Sequence, residues 1–163
     1  MKNLLILILS FFMITTVSNA QKKQDFEKAI NVLVFSKTNG YRHASISSGL
    51  KMLSDNSEKQ NWVITATEDA SLLRDGFFEK FDLVVFLNPT GDAICETGQA
   101  AFEKFINSGK GFVGIHAAAD FEYEWPFYGD LVCGYFKTHP PAQKATVIFE
   151  NYDHPAMIPF KGM

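Results

Sequence analysis

The chain has 163 residues, 47% hydrophobic and 20% charged, with sixteen phenylalanines. That balance belongs to a single globular domain and excludes collagen-like, coiled-coil and wholly disordered chains. Fifteen Lys and Arg against eighteen Asp and Glu give −3 with no basic cluster, which argues against a nucleic-acid partner.

Residues 1–20 read as an export signal: Lys2 supplies the positive start, and an apolar run follows from Leu4 to Val17. Ser18-Asn19-Ala20 offers small residues at the cleavage positions, so the cut is expected after Ala20. The run is short of the roughly 20 apolar residues of a membrane span, and no cysteine near the cut suggests a lipid anchor. The expectation is an exported protein, periplasmic or secreted, without a stable membrane anchor. A short polar segment, 21–30, then leads into one domain over 31–163. Export makes a Cys95–Cys133 disulfide conceivable; the favoured reading is two separate, partly buried thiols.

Residues 31–36 form a near-continuous apolar run, the pattern of a strand buried on both faces of a parallel sheet. A polar loop around Asn39-Gly40 follows. A helix beginning at Ala44 or Ser45 is then expected, with Ile46, Leu50 and Leu53 inside and Lys51, Asp55 and Glu58 outside. Residues 62–67 and 82–87 read as the second and third strands, the latter stopped by Asn88-Pro-Thr-Gly91. A helix over 97–108 buries Phe102, Phe105 and Ile106, with Gly109 after its end. Residues 110–116 are a fourth strand, 125–136 a helix and 145–149 a fifth, edge strand. This alternation predicts an α/β domain with a mostly parallel sheet, whose ligands sit beyond the carboxyl ends of the strands.

The polar residues gather at those ends. His43, His116 and His139 fall in loops that can share one crevice, whereas His154 follows the last strand. In Gly114-Ile-His-Ala-Ala118 a buried strand runs into small residues, a tight elbow that lifts the His116 side chain above the sheet. Histidine there serves as acid, base or metal ligand, not as a Ser- or Cys-type nucleophile. A plainer reading has His116 end the strand and hydrogen-bond Asp120. His43, His116 and His139, with Asp120 nearby, are candidate ligands for zinc or another divalent transition metal, although no compact ligand spacing is present. Arg42 and Ser45 at a helix start, with Asn88 and Thr90, could hold a hydroxyl-rich or anionic ligand. Tyr123, Trp125, Phe127 and Tyr128 are either sugar-stacking faces or core, or a contact between copies in a homo-oligomer.

Phe35-Ser-Lys-Thr-Asn-Gly-Tyr-Arg-His43, Val85-Phe-Leu-Asn-Pro-Thr-Gly-Asp92 and Gly111-Phe-Val-Gly-Ile-His-Ala-Ala-Ala-Asp120 together resemble the ThuA-like, trehalose-utilisation family. Trp125-Pro-Phe-Tyr128, Gly134-Tyr-Phe136, His139-Pro140 and Asp153-His-Pro155 continue the match in order, over about residues 31–160. The resemblance implies a class I glutamine amidotransferase-like, flavodoxin-like three-layer sandwich. Where amidotransferases carry a catalytic cysteine this chain has His116, so it is not expected to hydrolyse glutamine. The implied role is in use of trehalose or another disaccharide, including 3-keto sugars. The segment with an Asp-Glu-Trp-Tyr-like motif, usual further along the family, is absent from these residues. The resulting expectation is a sugar-acting hydrolase, lyase or isomerase centred on His116, Asp120 and His43. The alternative is a non-catalytic carbohydrate-binding module on the same fold.

Overall fold

The structure is a computed structural model that describes residues 28–162. The expected leader and residues 21–27 lie outside the described residues. Four strands, β1 (Ile30–Phe35), β2 (Trp62–Thr67), β3 (Leu83–Leu87) and β4 (Gly111–Ile115), form one sheet in the order β2-β1-β3-β4. Every pairing is parallel. The helices are α1 (Ser45–Ser57), α2 (Glu96–Asn107) and α3 (Pro126–Val132). No helix among the described residues is long and apolar enough to cross a membrane.

The apolar runs of β1 and β3 alternate between two cores because successive side chains leave opposite faces of a strand. Val32, Val34, Val85 and Leu87 meet Ile46 and Leu53 of α1 on one face. Leu33, Phe35, Val84 and Phe86 meet Phe102 and Phe105 of α2 on the other. Aromatic rings predominate in this second core: the Phe102 ring stacks on Phe86 at 5.1 Å and meets Trp125 edge-on at 5.8 Å. Burying each such ring contributes on the order of 1.5–3 kcal/mol. Three layers result, as expected.

Two expected elements differ. Residues 145–149 form no strand: Val147 and Ile148 are three-quarters exposed, and Pro140-Pro141 upstream removes two donors that a ladder could use. The helix expected over 125–136 is only seven residues long. Cys133 turns left-handed at φ 62° and Gly134 follows at φ 141°, its N–H donating to Gly129 O, which closes the helix C-terminus.

Helix α2 enters against the chain at Leu73 with no room to spare. A Cβ on Gly98 would stand 2.5 Å from Leu73 O and 2.7 Å from Ile94 Cγ2. Gly98→Ala should therefore lower stability by about 1–3 kcal/mol, read as a lower urea midpoint at unchanged slope. A midpoint equal to the parent's would mean that α2 does not sit this close.

Asp82, just before β3, accepts from the Asn31 amide (2.9 Å) and the Asn31 side chain (3.3 Å). The backbone bond, above all, holds its carboxyl below the ordinary value. A lowered folded value stabilises above the unfolded one and is lost as pH falls through the folded one. Asp82→Asn should thus destabilise most near neutrality, its difference from the parent closing in acid. Urea midpoints at about pH 7 and about pH 2 test this, and a pH-independent difference would refute it.

Candidate functional site

Strand order reverses between β1 and β3, which is where an open α/β sheet ordinarily leaves its ligand crevice. Here that gap is stitched shut. The Asn39 and Gly40 amides donate to Thr90 O at 2.8 and 3.3 Å, and the Thr90 amide donates back to Lys37 O. The approach requires glycine: a Cβ on Gly91, which sits at φ 70°, would meet Gly40 N at 3.1 Å. The open cleft is displaced toward β4 and has a volume of about 790 Å³.

Its floor is the elbow after β4. His116 is held at φ 49°, in the left-handed region, and begins a 3-10 turn, His116–Ala119. Neighbouring β3 ends in the same way, with Asn88 at φ 52°. A non-glycine residue in that region costs on the order of 1–3 kcal/mol, and the surrounding contacts must enforce it. Asn88 is enforced by its amide donating to Ile115 O and its Nδ2 donating to Ser45 Oγ at 2.8 Å.

The His43 and His116 rings meet edge to face, centroids 4.5 Å apart, and Tyr41 meets His43 in the same way at 4.9 Å. Tyr135, Phe136 and His139 form the facing wall, with Cys133 and Gly134 beside them, and Asp120 closes the turn that His116 begins. Asp120 accepts a short hydrogen bond from the Tyr123 hydroxyl, so among the described residues its carboxylate is bonded to Tyr123 and not to His116. Among the described residues, no Lys or Arg lines the cleft.

The residues expected at the site thus separate. His43, His116, Asp120 and His139 share the cleft. Arg42 does not: its guanidinium grips Glu68 through two hydrogen bonds of 2.9 and 2.7 Å, which hold the Glu68 carboxyl below its usual range. Ser45 and Asn88 bond each other, and buried Thr90 donates to Tyr41 O, so these three build the floor's support. Trp125 is core, 5% exposed, its Nε1 donating to Glu103. Tyr123 turns its ring onto Tyr135 at 5.1 Å, outside the cleft lining. His154 caps the 3-10 turn Pro155–Phe160. The aromatic faces that do line the cleft, Tyr41, Tyr135 and Phe136, lay in sequence beside expected site residues: Tyr41 two before His43, and Tyr135 and Phe136 four and three before His139.

The zinc set is not assembled. His139 bonds its own Pro140 O through Nδ1, and among the described residues no three His, Cys, Asp or Glu groups are placed to share an ion. Both cysteines are free and exposed, not partly buried: Cys133 ends α3, and Cys95 precedes α2.

A family model described as "Trehalose utilisation" (ThuA) matches residues 31–161. Among solved structures, a ThuA-like protein from Bacteroides uniformis ATCC 8492 superposes with a TM-score of 0.68 at 21% identity. The superposition covers 84% of this chain and 58% of that one, so the chain spans little more than half of that relative's length. None of the curated proteins compared matches it.

The Thr97 hydroxyl, 3.3 Å from Cys95 Sγ, is the first cause that lowers the Cys95 thiol below its ordinary range, ahead of the Gly98 amide. Alkylation of Cys95 by iodoacetamide should therefore reach half its maximal rate at a lower pH than a free thiol. Thr97→Val should raise that pH, as peptide mass spectrometry over a time course would show. Equal profiles in parent and variant would remove the hydroxyl's effect.

Proposed function

Because the chain belongs to the trehalose-utilisation (ThuA) family, we propose that the cleft over β4 binds an uncharged sugar and that His116 transfers protons to or from it. Carbohydrate utilisation is the family's field; the ligand, the chemistry and the residues are our reading. The observation that carries it is the His43–His116 pair on the floor of a cleft walled by Tyr41, Tyr135 and Phe136. Two adjoining imidazoles allow one to accept a proton while the other donates, which is the need of a reaction that moves a proton between two sugar atoms. Aromatic faces pack against the C–H faces of a sugar ring, and Asp120 offers an acceptor for its hydroxyls. A ligand without phosphate or carboxylate is favoured because, among the described residues, the only fixed charge in the lining is that of Asp120.

The substrates to try are trehalose, other disaccharides and their 3-keto derivatives, with hydrolysis, elimination or isomerisation as the outcome. Export through the leader over residues 1–20 belongs to the same proposal, which places the sugar outside the cytoplasm.

Sugar binding by titration calorimetry and product formation by mass spectrometry test it together. His116→Gln, which keeps the size of the ring but cannot cycle a proton, should reduce turnover about 10²–10⁴-fold while binding changes little. Tyr41→Ala should weaken binding instead. Unchanged turnover in His116→Gln would refute the acid/base role. Saturable binding by the parent with no product from any of these sugars would make the cleft a carbohydrate-binding module.

A further inference from the structure

We infer that Tyr123 is a positioning residue whose hydroxyl fixes the Asp120 carboxylate at the edge of the cleft floor and ties the facing wall to it. The inference rests on the sugar-binding reading only in its affinity arm. The Tyr123 hydroxyl has two acceptors, Asp120 Oδ1 through the short bond and Phe136 O at 3.0 Å. Asp120 ends the 3-10 turn that begins at His116, whereas Phe136 lies across the cleft between Tyr135 and His139. One phenol therefore joins floor and wall at the only carboxylate that lines the cleft among the described residues.

Everything else about Tyr123 keeps it in that place. Its amide donates to Asp92 Oδ1 at 3.0 Å, and its ring lies on Tyr135 with planes 28° apart. Tyr135 is itself pinned, its hydroxyl donating to Glu122 O and Trp125 O. Burial, then the bond to Asp120, push the Tyr123 phenol up to about 12, with the Asp92 charge adding to the rise. The hydroxyl thus stays protonated through the neutral range and remains the donor. A carboxylate so held keeps one oxygen engaged and presents the other in one direction, which removes the rotational freedom a ligand hydroxyl would otherwise have to overcome.

The test compares Tyr123→Phe, which keeps the stacked ring, with Asp120→Asn and the double variant. In the parent, the Tyr123 ¹³Cζ signal should titrate at about 12. In Asp120→Asn it should fall, with burial and the Asp92 charge still holding it above the ordinary value of about 10. Trehalose affinity should drop about tenfold in Tyr123→Phe and by a similar factor in Asp120→Asn, with no further drop in the double variant. A Tyr123 titration unmoved by Asp120→Asn, or losses that multiply in the double variant, would overturn the inference. If the parent binds no sugar, the proposed ligand fails and the ¹³Cζ titration alone decides the Tyr123–Asp120 link.

Discussion

A single buried carboxylate holds the site's surroundings together. Glu122 is 2% exposed and has no cationic partner among its hydrogen bonds. Its Oε1 accepts from the Ala93 and Ile94 amides at 2.7 Å each, and its Oε2 accepts from Gln99 Nε2 at 2.8 Å. Burying an ionised carboxylate is costly unless such donors replace its water. Three donors from the loop after β3 and from α2 do so. The Glu122 backbone is engaged as well: its amide donates to Gly91 O, and its carbonyl accepts from Tyr135 Oη and the Trp125 amide. Together with the Gly91 amide on Asp120 O and the Tyr123 amide on Asp92 Oδ1, this residue fixes the segment after β4 against the loop after β3.

That relation explains where the cleft lies. With the β1 and β3 loops bonded to each other through Thr90, the crevice expected at the reversal of strand order is filled with backbone. An open cleft remains above β4, where the chain leaves the sheet through a left-handed His116. The strain at Asn88 and His116 is borne by the ladder beneath them, since Leu87 and Ile115 are paired neighbours in register. A strained turn standing on two bonded strands cannot relax without breaking their pairing. That is what keeps the imidazole above the sheet.

Much of this was legible from residue order. Apolar runs mark buried parallel strands unambiguously when both faces are covered, and β1, β3 and the helices flanking them came out within a residue or two. The elbow at His116 was legible because a strand that ends among small residues has few conformations open to it. What could not be read were choices between partners distant in sequence. Arg42 looked like a ligand-orienting cation, yet Glu68, 26 residues on, neutralises it. Trp125 and Tyr123 carry similar rings two residues apart, and only packing against Phe102 or against Tyr135 separates core from support. Residues 145–149 have the composition of a strand, but a strand exists only with a neighbour to bond, and composition does not name one.

The two sides of the cleft are held by different kinds of force, and this divides their roles. The floor, from Asn88 to Asp120, rests on ladder and loop bonds of the backbone, braced by the side chains of Asn88, Thr90 and Glu122. The wall over residues 133–139 is held by the Phe136 amide on Ala119 O and by two phenols, those of Tyr123 and Tyr135. Few bonds define the wall, so substitutions there can reshape the cleft without disturbing the sheet. The floor, in contrast, presents the same imidazole whatever stands opposite. Substitutions in the wall can therefore change the shape of the cleft while His116 keeps its place above the sheet.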